Sequence, residues 1–121
     1  MALVNGKREL VSGTPMYTNF CMSNPEARAK VVDKVAEYCE MNAHVSYLHV
    51  WLGDSLNHTC ECEGCQKRTH SDWYVILLNE IDAELTKRNL DNRLVFAACY
   101  ESLFPPETET LNNPSKSLCL L

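Results

Sequence analysis

The sequence predicts an α/β fold, β-α-β-α-β with parallel strands, and three observations carry that reading. Residues 45–52 and 94–100 are nearly unbroken runs of aliphatic, β-branched and aromatic side chains, the composition of strands covered on both faces of a parallel sheet. Two other stretches place apolar residues at three- and four-residue steps, as one face of a helix requires. The two kinds of segment alternate, and alternation at these lengths implies right-handed crossovers in an open α/β sheet or part of a (β/α) barrel.

The elements follow in chain order. Residues 1–15 carry turn formers at Asn5-Gly6 and Ser12-Gly13-Thr14-Pro15 and read as an irregular lead-in or short hairpin. Residues 16–22 read as a short strand. Ser23-Asn24-Pro25-Glu26 then supplies a cap, a proline suited to the first helical turn and an acid at the positive end of the dipole. Val31, Val32, Val35, Ala36 and Cys39 form the apolar face of the helix that follows, which ends near Asn42. The strand 45–52 is closed by Gly53-Asp54. After a long loop, 53–70, Ser71-Asp72 opens a second helix with Trp73, Leu77, Ile81 and Leu85 at four-residue steps and Lys87 and Arg88 at its end. The strand 94–100 leads to Glu101 and to the breaker Pro105-Pro106.

At 121 residues and 13.8 kDa, with no repeat or Gly/Ser linker, the chain reads as one unit, 1–121. A formal charge of −5 without any basic run disfavours nucleic acid and anionic membrane as partners. No apolar run approaches the roughly 20 residues of a membrane span. Three strands and two helices cannot close a barrel, and Leu118-Cys119-Leu120-Leu121 reads as a further strand at its start. The expected object is therefore a fragment, of an open α/β sheet or of a barrel, whose exposed sheet edges invite self-association.

The strongest chemical signal is Cys60-Glu61-Cys62-Glu63-Gly64-Cys65, a C-x-C-x-x-C pattern with His58 two residues before it and His70 five after. Thiolates and imidazole are zinc ligands, and Gly64 would let the backbone turn so that the sulfurs converge. A loop this long within one domain is uncommon unless something ties it down, and a structural zinc would do so. Cys60, Cys62 and Cys65 are the candidate ligands, with His58 preferred over His70 as the fourth because it shares their loop. A Cys60–Cys65 disulfide and free reduced thiols are the competing readings. Thioredoxin-type catalysis is disfavoured, since Cys62-Glu63-Gly64-Cys65 does not sit at a strand-to-helix junction.

Asp54 and Glu101 each directly follow a strand, and in parallel α/β architectures catalytic groups gather at the carboxyl ends of strands. If their strands are neighbours, the two carboxyl groups are candidates for acid–base or nucleophilic work on a glycosidic bond. The competing reading makes Asp54 a turn residue and Glu101 a solvated acid. His49, Trp51 and Tyr100 are candidate sugar contacts, set against core packing for Trp51 and a satisfied core histidine for His49. Trp73 and Tyr74 read as packing residues. Asn57-His58-Thr59 fits a glycosylation acceptor, but so short a pattern often arises by chance, and a glycan there would crowd the cysteine loop. No Walker loop, G-x-G-x-x-G, G-x-S-x-G or H-E-x-x-H is present, which leaves nucleotide binding, serine hydrolysis and common metalloprotease chemistry without support.

Several of these segments together carry a resemblance. They are Phe20-Cys21-Met22-Ser23-Asn24-Pro25-Glu26, Leu48-His49-Val50-Trp51-Leu52-Gly53-Asp54, the three loop cysteines, Ser71-Asp72-Trp73-Tyr74, Leu78-Asn79-Glu80-Ile81-Asp82 and the run from Tyr100 to Pro106. In this order they resemble the bacterial domain-of-unknown-function 4838 family, whose often secreted or periplasmic members look like glycoside hydrolases with a (β/α)8 barrel. The resemblance implies a middle slice of such a barrel, with Asp54 as the strand-end acid and Cys60, Cys62 and Cys65 as the family's cysteines. It implies carbohydrate as the partner of the parent protein, with this slice inactive alone. The rival expectation is a non-enzymatic, zinc-stapled α/β module that binds a glycan or a protein. A small thiol oxidoreductase ranks third.

Overall fold

A computed structural model describes residues 1–54, 56 and 58–120. Helix α1 spans Pro25–Met41, strand β1 Tyr47–Val50, the single helical turn α2 Glu63–Gln66, helix α3 His70–Lys87, strand β2 Arg93–Ala97 and strand β3 Ser117–Leu120. The strands form one sheet in the order β1-β2-β3 and pair in parallel throughout. Leu48 lies opposite Leu94 and Val50 opposite Phe96, while Leu94 lies opposite Ser117 and Phe96 opposite Cys119. The α/β class and parallel pairing expected from the sequence are therefore present.

Both long helices begin where their caps dictate. Asn24 accepts the Ala27 N–H at 3.1 Å, with Pro25 in the first turn. Thr69 and Asp72 form a reciprocal capping box at the start of α3, placing its first residue at His70, just ahead of the expected Ser71-Asp72. The two helices lie on one face of the sheet. Val32, Ala36 and Cys39 from α1, Leu77, Leu78, Ile81 and Leu85 from α3, and Val50 and Leu94 from the strands make the core. Among the described residues no buried side-chain polar atom lacks a partner, and no helix is long and apolar enough to cross a membrane.

Three expectations need correction. Residues 16–22 do not form a strand. A 3-10 turn at Pro15–Tyr17 opens the segment, and its backbone bonds run to other irregular parts: the Asp54 N–H donates to the Met16 carbonyl at 2.9 Å and the Ala2 N–H to the Asn19 carbonyl at 3.0 Å. The third strand of the sheet is instead the C-terminal segment, β3. Nor is β1 covered on both faces. Tyr47 and His49 are exposed, and Trp51, just beyond the strand, is 61% exposed, because both helices lie against the opposite face. The core-packing readings of Trp51 and His49 fall with it; the two rings instead lie 6.1 Å apart on the open side. Finally, the loop 53–70 contains helical structure at α2.

The lead-in joins a tight hairpin at Val4–Lys7 to irregular chain with a 3-10 turn at Val11–Gly13. Val4 and Lys7 exchange two backbone bonds, and Asn5 and Gly6 both take positive φ, the geometry of a two-residue hairpin turn. The β2-to-β3 connection carries no α-helix. It crosses the outside of α3 as a strap: Asp72 accepts the Thr108 and Glu109 N–H groups at 2.9 and 3.0 Å, and Asn79 bonds to the backbone of Thr110 and Asn112.

Candidate metal centre

The three loop cysteines converge, and a fourth joins them from a distant segment. The sulfurs of Cys21, Cys60, Cys62 and Cys65 all lie within 4.8 Å of one another, with Cys21 at 3.6 Å from Cys62 and 3.8 Å from Cys65. All seven cysteines carry free thiols, so the Cys60–Cys65 disulfide is not formed. His58 is not among the clustered donors, and neither is His70. The position that sequence reasoning gave to an imidazole is taken by the thiol of Cys21.

Cys21 arrives through the irregular segment that was expected to be a strand. The chain turns at Met22-Ser23, and Asn24 caps α1, so the thiol and the Ser23 backbone both face the loop. Cys62 precedes α2 and Cys65 lies within it, so one helical turn brings the two sulfurs to the same side. Gly64 is needed, though not for its φ. A Cβ there would lie 2.6 Å from Ser23 Oγ and 3.0 Å from Ser23 Cβ, so only glycine lets the two segments approach.

The sulfurs sit in a ring of donors. The Leu3 N–H points at Cys60 Sγ at 3.2 Å and the Ser23 N–H at Cys65 Sγ at 3.3 Å. Ser23 Oγ lies 3.5 to 3.6 Å from Cys21 and Cys62, and it accepts from the Cys65 thiol at 3.2 Å. The Ser23 hydroxyl and the Cys65 backbone N–H, with smaller help from the Cys60 and Cys21 thiols, draw the half-buried Cys62 thiol down to about 5, whereas burial pushes Cys65 up to about 12. A divalent cation would deprotonate the thiols it binds, because the thiolate is the ligand. The four thiols can hold a metal ion. Behind them, Trp73 donates its indole N–H to the Cys65 carbonyl at 2.9 Å, and the Arg28 and Arg68 guanidinium groups lie 5.6 and 5.8 Å from its ring.

The predicted acids lie at the carboxyl ends of neighbouring strands. Asp54 follows β1, Glu101 follows β2, and both line one small cleft of about 50 Å³ with Trp51, His70, Tyr74 and Tyr100. Tyr74 ties the cleft floor together, since its hydroxyl donates to the Val50 carbonyl and accepts the Ala97 N–H at 3.3 Å. Burial lowers the pKa of His70, and the charge of Glu101 partly offsets that shift. His49 does not line the cleft; it stands beside Trp51 on the sheet. A larger cavity of about 440 Å³ runs from Cys60 and Cys65 past Trp73 and His70 to Glu101 and Phe104, so two of the four thiols and one of the two strand-end acids border the same space. His58 lies half-buried in the loop with its carbonyl accepting from Asn19, and the acceptor Asn57 lies outside the described residues.

Sequence reasoning finds three of the four thiols and does not find Cys21. A signal was present, because a triad of sulfurs lacks one tetrahedral donor and Cys21 precedes the α1 cap at the same end of the unit as loop 53–70. Comparison with known proteins returns no matching family model and no matching curated relative.

Proposed function

We propose that the chain is a zinc-stapled α/β module in which Cys21, Cys60, Cys62 and Cys65 hold one structural ion. The observation that carries this reading is the sulfur spacing. Four thiolates about 2.3 Å from a tetrahedral zinc stand about 3.8 Å apart, and the cluster already has sulfur pairs at 3.6 and 3.8 Å. Thiolate-rich tetrahedral sites suit zinc, and four protein donors leave no open position for water or substrate, which makes the role structural. The ion would join the segment before α1 to the loop between β1 and α3. Purified protein should carry one zinc per chain by elemental analysis. Cys21→Ser should release it to a chromophoric chelator at concentrations that leave the wild type loaded. Absence of any copurifying metal, together with free reaction of all four thiols after zinc addition, would remove the proposal.

A second reading is supported by the shared cleft of Asp54 and Glu101. In it the strand-end rim faces a carbohydrate, with Trp51 and Tyr100 offering aromatic surface, as the family resemblance implies for a parent glycoside-hydrolase-like barrel. The sequential strand order, with both long helices on one face, is what a length of barrel wall would have. Assay of a longer parent protein on a glycan panel tests it: Asp54→Asn should abolish hydrolysis, and unchanged turnover would take Asp54 out of the chemistry.

A further inference from the structure

The thiol cluster has a neighbour that a set of neutral thiols does not require. Arg8 stands just beyond the Val4–Lys7 hairpin and directs its guanidinium back over the cluster. Its Nη1 donates to the Met1 carbonyl at 2.7 Å and lies 3.9 Å from Cys60 Sγ, and the group also faces Cys21 and Cys62. The same segment is fixed to the cysteine loop at three further points. Leu3 gives its N–H to Cys60 Sγ, the Glu61 N–H donates to the Leu3 carbonyl at 2.8 Å, and the Asn5 N–H donates to Glu61 Oε2 at 3.1 Å. Ala2 is buried beneath these contacts. A divalent ion ligated by four thiolates leaves a net charge of −2 on the site. The Leu3 and Ser23 N–H groups offset part of that charge as dipoles. Among the described residues whose contacts reach the sulfurs, Arg8 is the cation.

We propose that Arg8 is the outer cation of the thiolate centre and that metal binding fastens the N-terminal hairpin over it. This rests on the metal reading above and deepens it. The hairpin is short and mostly exposed, with a single pair of strand-like backbone bonds, so its hold on the domain comes from the packing of Ala2, Leu3 and Val4, the Ala2–Asn19 bond, the Glu61 contacts and the sulfurs. Charging those sulfurs strengthens the Arg8 and Leu3 contacts. Arg8 in turn favours the fully deprotonated, metal-holding state. The coupling is reciprocal, as linkage requires.

The test compares wild type, Arg8→Gln and Arg8→Lys for zinc affinity by chelator competition, with far-UV circular dichroism confirming the two long helices in each variant. Arg8→Gln should weaken zinc binding by about 10- to 100-fold, the range for loss of a group supporting metal ligands, and Arg8→Lys should recover most of that loss. In the wild type, zinc should also slow proteolysis within residues 1–8, and in Arg8→Gln it should protect them less. Cobalt substituted for zinc gives a readout independent of affinity, since losing the guanidinium should shift the sulfur-to-cobalt charge-transfer band. Wild type that takes up no zinc removes the metal reading and this one with it. Wild type that binds zinc while Arg8→Gln binds equally well overturns the Arg8 role alone. An Arg8→Lys as weak as Arg8→Gln also overturns it, because charge would then not be the cause.

Discussion

Gly64 shows how a glycine can be required without any unusual backbone angle. In the sequence it reads as a hinge that lets Cys62 and Cys65 converge, but in the fold it provides space for Ser23, whose hydroxyl and N–H face the sulfurs. Gly64→Ala should push the Ser23 side chain away from the cluster. The expected cost is about 1–3 kcal/mol of stability, the usual range for overpacking, read as a lower unfolding midpoint of the zinc-loaded protein. Asn19 has a related role. Its side chain accepts the Gly53 N–H at 2.7 Å and donates to the His58 carbonyl, while its carbonyl takes the Ala2 N–H, so one buried amide joins the lead-in, the end of β1 and the cysteine loop. Such links between distant segments have no period, and no spacing rule announces them.

Helix α3 organises the unit because each of its sides meets a different partner. Leu77, Leu78, Ile81 and Leu85 fill the core, Trp73 backs the thiol loop, Tyr74 closes the strand ends, and Asp72 anchors the strap that leads to β3. Asp72 is 1% exposed. Burial opposes its charge, yet the Thr108 and Glu109 N–H groups with Thr69 hold its pKa down at about 2. Unfolded, it titrates near ~3.9. The folded value lies below the unfolded one, so its contribution is complete above about pH 4 and is lost as pH falls toward about 2. Asp72→Asn should cost about 1.5–3 kcal/mol at neutral pH, as expected for losing hydrogen bonds to a charged group. Its denaturation midpoint should also fall less than the wild-type value between pH 4 and pH 2. Equal acid sensitivity in the two proteins would place the acid-labile group elsewhere.

The α/β class, both long helices and the three strands of the sheet, the C-terminal one at Leu118-Cys119-Leu120 included, are legible in the sequence because each depends on local composition, periodicity or a cap. Val32, Ala36 and Cys39 recur at helical steps, and Asn24 and Thr69 satisfy nearby backbone donors. What is not legible depends on contacts between distant parts of the chain. The sequence does not show which side of β1 the helices cover, since an apolar run looks the same whether one face or both are buried. Nor does it show that the segment at Cys21 trades strand pairing for a place in the thiol cluster. That cluster was three-quarters visible because three of its donors share one short loop. Trp51 stands on the uncovered face of the sheet, while Trp73 has two guanidinium groups near its ring and bonds to the backbone of Cys65. The protein thus carries two built-in optical reporters: light emitted from one indole follows whatever settles on the bare sheet, and light from the other follows the state of the sulfurs.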